Sequence, residues 1–204
     1  GGWLAPFFTR NGRPTPDFDF RFGGVRSISA DLHKFGFCPK PASTVFYRDE
    51  ADLARATFKS NSWPNGSFET ATLAGTRPGG AVAGAWAVIN HLGTAGYADA
   101  ARRLAKMVDA YCDGIRSIDG LELWAQPDLS IINFGSREFD IFAVSEKMMA
   151  RGWLSALTRE PKGMHAMMSL LHEVAREDYL SDLRDCIGEV RQDPKFRSNL
   201  KANY

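Results

Sequence analysis

The segment V-R-S-I-S-A-D-L-H-K-F-G-F-C-P-K-P-A-S occupies residues 25–43 and has Lys34 at its centre. Residues 25–30 are rich in residue types that favour strands, and residues 43–48 form a second run of this kind. One glycine and two prolines lie between them and interrupt regular structure. The pattern therefore predicts two strands with Lys34 in the bend that joins them.

A lysine in such a bend has two interpretations. The ordinary one is a solvent-exposed lysine in a hairpin loop, because lysine side chains are mostly exposed. The other is a lysine that forms an imine with a carbonyl compound, which requires burial or cationic neighbours to disfavour its ammonium form. His33 and Lys40 are candidates for such neighbours. Spacing alone leaves both interpretations open.

Two motifs favour the second interpretation. The string S-I-S-A-D-x-H-K-x-G-x-x-P-K-x-x-S, at residues 27–43, resembles the pyridoxal-phosphate lysine segment of sphingosine-1-phosphate lyases, members of the fold-type-I, group II decarboxylase superfamily. Residues 74–80, A-G-T-R-P-G-G, resemble the same family's A-G-S-R-P-G-G. The His-Lys pair is common to the superfamily, whereas Asp31 and the Pro39-Lys40 pair point to the lyase branch. Residues 18–21 and 135–141 add weaker similarity, so the resemblance extends over essentially the whole chain.

The resemblance implies an α/β fold in two parts. We expect residues 1–115 to be the C-terminal part of a fold-type-I, transferase-like large domain that binds pyridoxal 5′-phosphate (PLP), and residues 116–204 to form a small α+β C-terminal domain. Family members are considerably longer, and residues 1–3 resemble the segment just after the aspartate that pairs with the cofactor's pyridine nitrogen. The expectation is therefore the C-terminal part of an enzyme, inactive as an isolated chain.

The resemblance also implies roles for residues around the lysine. Lys34 holds the aldehyde of PLP as an imine, yields it to the substrate amine and is then a nearby base. His33 helps to hold the cofactor phosphate, and Asp31 belongs to the cofactor site. Lys40 contacts the substrate phosphate. Pro41 stands where the family has glycine, and because proline removes a backbone donor and fixes φ, it gives the loop around Lys40 a different backbone constraint.

The second motif supplies the remaining cofactor contacts. Thr76 and Arg77 precede a predicted helix, so hydroxyl, guanidinium and backbone N–H groups can converge on an anion near its start. In the family this loop reaches the cofactor phosphate of the partner subunit of a homodimer. Arg77 has a second interpretation, in which it only braces its own loop.

The expected reaction is the retro-aldol cleavage of sphingosine-1-phosphate-type long-chain base phosphates to a fatty aldehyde and phosphoethanolamine. A PLP-dependent amino-acid decarboxylase of the same superfamily is the first alternative, since Lys40 or an arginine could bind a substrate carboxylate. A non-catalytic structural fragment is the second alternative. Activity on a phosphorylated amino alcohol, compared with an amino acid, distinguishes the two enzymes.

Composition narrows the class of protein. A net charge of +1 over 204 residues gives no basic surface for nucleic acid. Cys38, Cys112 and Cys186 are odd in number and outside any C-x-x-C motif, which favours a reducing, cytoplasmic compartment. The four histidines lack metal-site spacing, so we expect no metal. No apolar run approaches the roughly 20 residues that span a bilayer, although a membrane anchor in a missing N-terminal part is compatible with this.

Periodicity predicts the other elements. The end of a buried strand and the loop after it are expected at residues 1–8. Apolar core packing is expected at Phe18, Phe20 and Phe22, and a long irregular segment at residues 60–80. Helices are predicted at residues 49–59, 81–92, 97–118, 140–151 and 180–190, and strands at residues 121–126, 129–134 and 162–170. A frayed tail is predicted from Pro194 onward.

Overall fold

The computed structural model describes residues 2–193 and 195–202. Contacts divide the chain into two compact units, Gly1–Ala98 and Asp99–Tyr204. The domain boundary expected between residues 115 and 116 stays a prediction. Pro194, where the frayed tail was expected to begin, lies outside the described residues.

The first unit opens with helix, which corrects the strand expected at residues 1–8. A 3-10 turn, Gly2–Leu4, leads into α1, Ala5–Arg10, which has a proline in its first turn. Proline fits there because the first helical residues have no intrahelical acceptor for their N–H groups. Leu4, Ala5 and Phe8 are buried, which is the spacing of one helical face rather than of a strand.

The aromatic residues at 18–22 contribute less to the core than expected. Phe18 and Phe22 are 42% and 50% exposed, so the expected core packing is wrong for them. Arg48 instead holds this stretch, because its guanidinium donates to the carbonyls of Phe20 and Phe22 and lies over the Phe20 ring. The stretch is therefore fixed mainly by polar contacts to backbone.

The two predicted strands around Lys34 are confirmed. Strand β1, Ser27–Ala30, pairs antiparallel with β2, Thr44–Tyr47, and the register ends with Ala30 opposite Thr44. Helix α2, Glu50–Ala56, follows, and the Asp49 carboxylate caps it by accepting from the backbone N–H of Asp52.

A hairpin replaces part of the irregular segment expected at residues 60–80. Strand β3, Phe58–Trp63, pairs with β4, Gly66–Thr70, and Trp63 lies opposite Gly66 across a tight turn. Gly66 has φ of +110°, which glycine adopts without steric cost. The Asn65-Gly66 pair is a hairpin signal that the polar composition obscured. Residues 71–78 do lack helix and strand.

Helix α3, Gly79–Arg116, contains the two helices predicted at 81–92 and 97–118. Gly93 separates them with non-helical backbone at φ 55° and ψ −169°. The predicted apolar face of the second half is buried throughout, at Ala101, Leu104, Val108, Tyr111 and Ile115.

The second unit contains an antiparallel four-stranded sheet in the order β5-β6-β8-β7. These strands are β5, Glu122–Leu123; β6, Ile131–Gly135; β7, Ala156–Arg159; and β8, Lys162–Met167. Helix α4, Ile141–Ala150, packs against β8 and against α5, Arg176–Gln192. The predicted helices and the strands β5, β6 and β8 are confirmed, whereas β7 had not been predicted.

The described part of the chain has no helix with both the length and the apolar character needed to cross a bilayer.

Candidate active site

The bend that carries Lys34 is a tight turn. The backbone N–H of Lys34 donates to the carbonyl of Asp31 at 3.2 Å, and that of Cys38 donates to the carbonyl of Leu32 at 3.0 Å. A Cβ at Gly36 would lie 2.5 Å from the Leu32 carbonyl oxygen, closer than two such atoms approach. Glycine is therefore required for the chain to turn directly after the lysine.

Polar contacts between the two strand ends close the loop. The Thr44 hydroxyl donates to the carbonyl of Ala30 at 2.8 Å. The carbonyl of Ala42 accepts from the backbone N–H of His33 at 2.9 Å and lies 2.7 Å from the Nδ1 atom of the same residue. These contacts make the 31–43 loop continuous with the β1–β2 ladder.

Lys34 and Ser43 share the carboxylate of Asp31. The Lys34 Nζ lies 2.8 Å from Asp31 Oδ2, and the Ser43 Oγ donates to Asp31 Oδ1 at 2.5 Å. The Lys34 hydrogen bond, followed by that from Ser43, lowers the pKa of Asp31 to about 2. Asp31 is thus a carboxylate at neutral pH, and the Lys34 side chain, which is 57% exposed, lies within reach of a ligand.

The geometry around His33 fixes which ring nitrogen carries a proton. A carbonyl oxygen can only accept, so Nδ1 of His33 donates to Ala42 and carries the hydrogen. In the neutral ring Nε2 is then the acceptor, and in the charged ring it is a second donor. His33 is half-buried beside Lys34 and leaves Nε2 for a further partner.

A buried cluster and a tyrosine far along the sequence hold the lysine loop in place. Leu32, Cys38 and Ala42 are buried together with Ala85 of α3. The Tyr97 hydroxyl, also from α3, donates to the carbonyl of Gly36 at 2.8 Å. Burial raises the pKa of the Tyr97 hydroxyl and of the Cys38 thiol, so both are protonated at neutral pH. These properties favour packing, rather than reactivity, for Cys38.

Sequence reasoning missed Tyr97 and did not assign Ser43 to the site. The Tyr97 contact spans 61 residues, and no local pattern reports a contact of that separation. Ser43 could have been found by pairing the two predicted strands. Asp31 and Ser43 are the first residues beyond the opposed strand ends Ala30 and Thr44.

Lys40, the candidate for the substrate phosphate, is exposed and has no ion-pair partner within residues 2–193 and 195–202. The peptide bond that follows it, Lys40–Pro41, is cis. The structure therefore brings Asp31, His33, Lys34 and Ser43 together, and it leaves Lys40 on the same loop with its ammonium uncommitted.

The second motif is held mainly by Arg77. Its guanidinium donates to the carbonyls of Gly75 at 3.1 Å and Ala74 at 2.9 Å, and to the hydroxyl of Thr72. Thr76 is exposed, as are all residues from 71 to 80. Among the described residues, no hydrogen bond or ion pair connects residues 74–80 to the lysine loop. The bracing expected as one interpretation of Arg77 is thus present.

Comparison with known proteins finds sphingosine-1-phosphate lyases that are similar to this chain over nearly its whole length. No family model matches the chain. The chain is 38% identical over 195 residues to a sphingosine-1-phosphate lyase of Oryza sativa subsp. japonica, covering 95% of this chain and 36% of the relative. Mouse sphingosine-1-phosphate lyase 1 is 34% identical over 97% of this chain and 35% of its own length. The chain thus spans about a third of the curated lyases it matches.

Solved structures establish the fold. A sphingosine-1-phosphate lyase from Burkholderia pseudomallei superposes with a TM-score of 0.88 at 32% identity, covering 96% of this chain and 45% of that protein. A glutamate decarboxylase from Lactobacillus brevis superposes with a TM-score of 0.73 at 19% identity over 94% of this chain and 46% of that protein, which shows the fold alone. The chain therefore has the α/β fold of the fold-type-I, PLP-dependent lyases and decarboxylases.

Proposed function

Since this chain is homologous to the sphingosine-1-phosphate lyases, we propose that the protein containing it is a PLP-dependent carbon–carbon lyase. Its substrates are long-chain base phosphates of the sphingosine-1-phosphate type, and its products are a fatty aldehyde and phosphoethanolamine. The active form is a homodimer with shared sites. The three buried cysteines fit a reducing compartment, and we assign the protein to the cytoplasm.

One observation carries this proposal: the amine of Lys34 is exposed and is held by Asp31 in a turn that is tied to both flanking strands. A PLP site needs an accessible amine for the aldehyde and hydrogen-bond donors for the phosphate. Lys34 supplies the amine, and the charged form of the neighbouring His33 ring would donate from Nε2, because Nδ1 is bonded to Ala42. The residues present therefore fit the cofactor, which sphingosine-1-phosphate lyases and related decarboxylases use.

When bound, PLP supplies the electron sink for the carbanion that carbon–carbon cleavage leaves behind. The chain's own residues would bind the cofactor and transfer protons. Lys34 would hold the cofactor through Nζ, and once freed by the substrate amine this Nζ would be a base near the reacting bond. Asp31 holds Nζ in place before the cofactor binds, because the two groups are 2.8 Å apart.

Three further residues, Lys40, Thr76 and Arg77, are assigned to phosphate groups. Lys40 has an exposed ammonium without an ion-pair partner in the described residues, which suits the phosphate of the substrate. Thr76 and Arg77 are assigned to the cofactor phosphate of the partner subunit. The exposed Thr76 hydroxyl supports its part of this assignment. The internal bonds of Arg77 shape the loop that presents this hydroxyl.

The test is to trap the cofactor on the full-length protein. Borohydride reduction followed by peptide mapping is expected to find PLP covalently attached to Lys34. Lys34→Ala abolishes attachment, whereas Lys59→Ala, at an exposed lysine paired with Glu69, retains it. Attachment to another lysine, or none in the wild type, contradicts the proposal.

Substrate choice is tested separately with Lys40→Ala. We expect this variant to retain cofactor attachment but to raise KM for the phosphorylated amino alcohol, with little change for its unphosphorylated analogue. Turnover of an amino acid by the wild type, with release of carbon dioxide and none of a fatty aldehyde, identifies a decarboxylase instead. An L-aspartate decarboxylase from Thermococcus kodakarensis, 33% identical over 91% of this chain and covered over 47% of its length, makes that control necessary.

A further inference from the structure

Ser43 is not among the residues to which the resemblance gives a role. Among the described residues, it nevertheless makes one of the two side-chain contacts to the Asp31 carboxylate. Its Oγ lies 2.5 Å from Oδ1, and Lys34 Nζ lies 2.8 Å from Oδ2. Each carboxylate oxygen thus has its own donor. The contact follows from strand register, because Asp31 and Ser43 are the first residues beyond the pair Ala30 and Thr44.

We propose that Ser43 is a positioning residue that allows Lys34 to leave Asp31. This inference rests on the function proposed above, in which Lys34 reacts with an aldehyde. For that reaction the ammonium loses a proton to solvent, the neutral amine forms a carbon–nitrogen double bond, and the aldehyde oxygen leaves as water. Lys34 then no longer has the ammonium group that bonds Oδ2, whereas the Ser43 hydroxyl remains on Oδ1.

Two donors on one carboxylate weaken each other's bond, because each withdraws charge from the shared acceptor. Ser43 therefore makes Asp31 a less basic partner and loosens its hold on the Lys34 proton. The charged or titratable groups that act on Asp31 are Lys34 and the adjacent His33, and Ser43 is its neutral donor. Lys34 has Asp31 as its ion-pair partner. Removal of the hydroxyl is thus expected to strengthen the ion pair and to keep Lys34 charged to higher pH.

The experiment measures the reactivity of Lys34 in the cofactor-free, full-length protein as a function of pH. A limiting amount of acetic anhydride labels neutral amines, and mass spectrometry of the peptides gives the pH midpoint of labelling at Lys34. Ser43→Ala is expected to raise this midpoint by about half a pH unit. Ser43→Thr keeps the hydroxyl and the wild-type midpoint, whereas Asp31→Asn lowers it.

Lys59 provides an internal standard in the same samples, because it is exposed and pairs with Glu69 at 3.0 Å. Its midpoint is expected to be equal in all variants, which separates a local effect from misfolding. A Lys34 midpoint that Ser43→Ala leaves unchanged or lowers overturns the inference. Labelling needs no cofactor, so failure of the PLP-trapping experiment and failure here are distinguishable.

Discussion

The lysine loop, residues 31–43, and the Arg77 loop, residues 71–80, each contain residues of a motif that resembles the family's, but the structure holds the two loops differently. The lysine loop is tied to both flanking strands and rests on a buried cluster. The Arg77 loop is exposed along its whole length, and the bonds that its guanidinium makes to described residues lie within the loop. A motif can therefore identify a loop without indicating what holds it. The lysine loop takes its shape from the flanking strands and the buried cluster, whereas the Arg77 loop takes its shape from bonds within itself.

The largest expected difference between the two loops is their tolerance of a methyl group. In the lysine loop, Gly36→Ala places a Cβ 2.5 Å from the Leu32 carbonyl oxygen and 2.7 Å from its Cα. The backbone must move, at a cost of about 2–3 kcal/mol in the free energy of unfolding. Urea denaturation of the full-length protein measures this cost, and faster hydrogen exchange at the Cys38 amide locates it.

Gly75→Ala is the matched control in the Arg77 loop, because its Cβ meets nothing within 4 Å. Its effect should stay within about 0.5 kcal/mol. Equal effects of the two substitutions would show that the lysine loop is no more constrained than the exposed one.

A smaller loss of stability is expected when the hydrogen bond from Tyr97 to the lysine loop is removed. Tyr97→Phe removes the donor to the Gly36 carbonyl and leaves a buried acceptor with only the weaker Cys38 thiol bond at 3.2 Å. We expect a loss of about 1–2 kcal/mol and a lower PLP occupancy at Lys34. Tyr47→Phe serves as the control, since its hydroxyl has no hydrogen-bond partner in the described residues. Unchanged stability and occupancy in Tyr97→Phe would mean that the strands alone hold the loop.

The smallest expected effect is the stability that the Asp31 carboxylate loses at acidic pH. Because the folded state lowers the pKa of Asp31 from 3.8 to about 2, this group stabilises the fold above pH 3.8. The contribution is lost as the pH falls from about 4 towards 2. Solvent screens this half-exposed pair, so the stability difference between wild type and Asp31→Asn is at most about 1 kcal/mol. It should shrink across that window in unfolding measurements at successive pH values. A difference that is constant from pH 5 to about 2 would argue against the ion pair.

Local patterns predicted those elements that local interactions define. The turn around Lys34 and the buried face of Leu104 and Val108 follow directly from periodicity and from turn residues. The hairpin at Trp63 and Gly66 was missed because its strands are rich in Ser, Asn and Gly, which are common in loops. The helical start was missed because small and aromatic residues do not by themselves distinguish a short helix from a strand.

In the candidate site, too, contacts between residues close in sequence could be predicted and contacts between distant residues could not. Asp31 and Lys34 are three residues apart, and one turn brings them together. Tyr97 reaches Gly36 only after α3 has packed, so the residues around either position give no sign of the contact. The structure places the predicted site residues but does not test their roles. The roles of all these residues stay predictions, because they depend on ligands and on a second subunit: Asp31, His33, Lys34, Lys40, Thr76 and Arg77.

The separations of these contacts along the chain also bear on the order of folding. The bonds that close the lysine loop connect residues 9, 12 and 14 positions apart, whereas the Tyr97 bond connects residues 61 apart. The entropic cost of closing a loop rises with its length, so short-range contacts form sooner. On a growing polypeptide, the turn that presents Lys34 can therefore assemble before the tyrosine that anchors it has been synthesised.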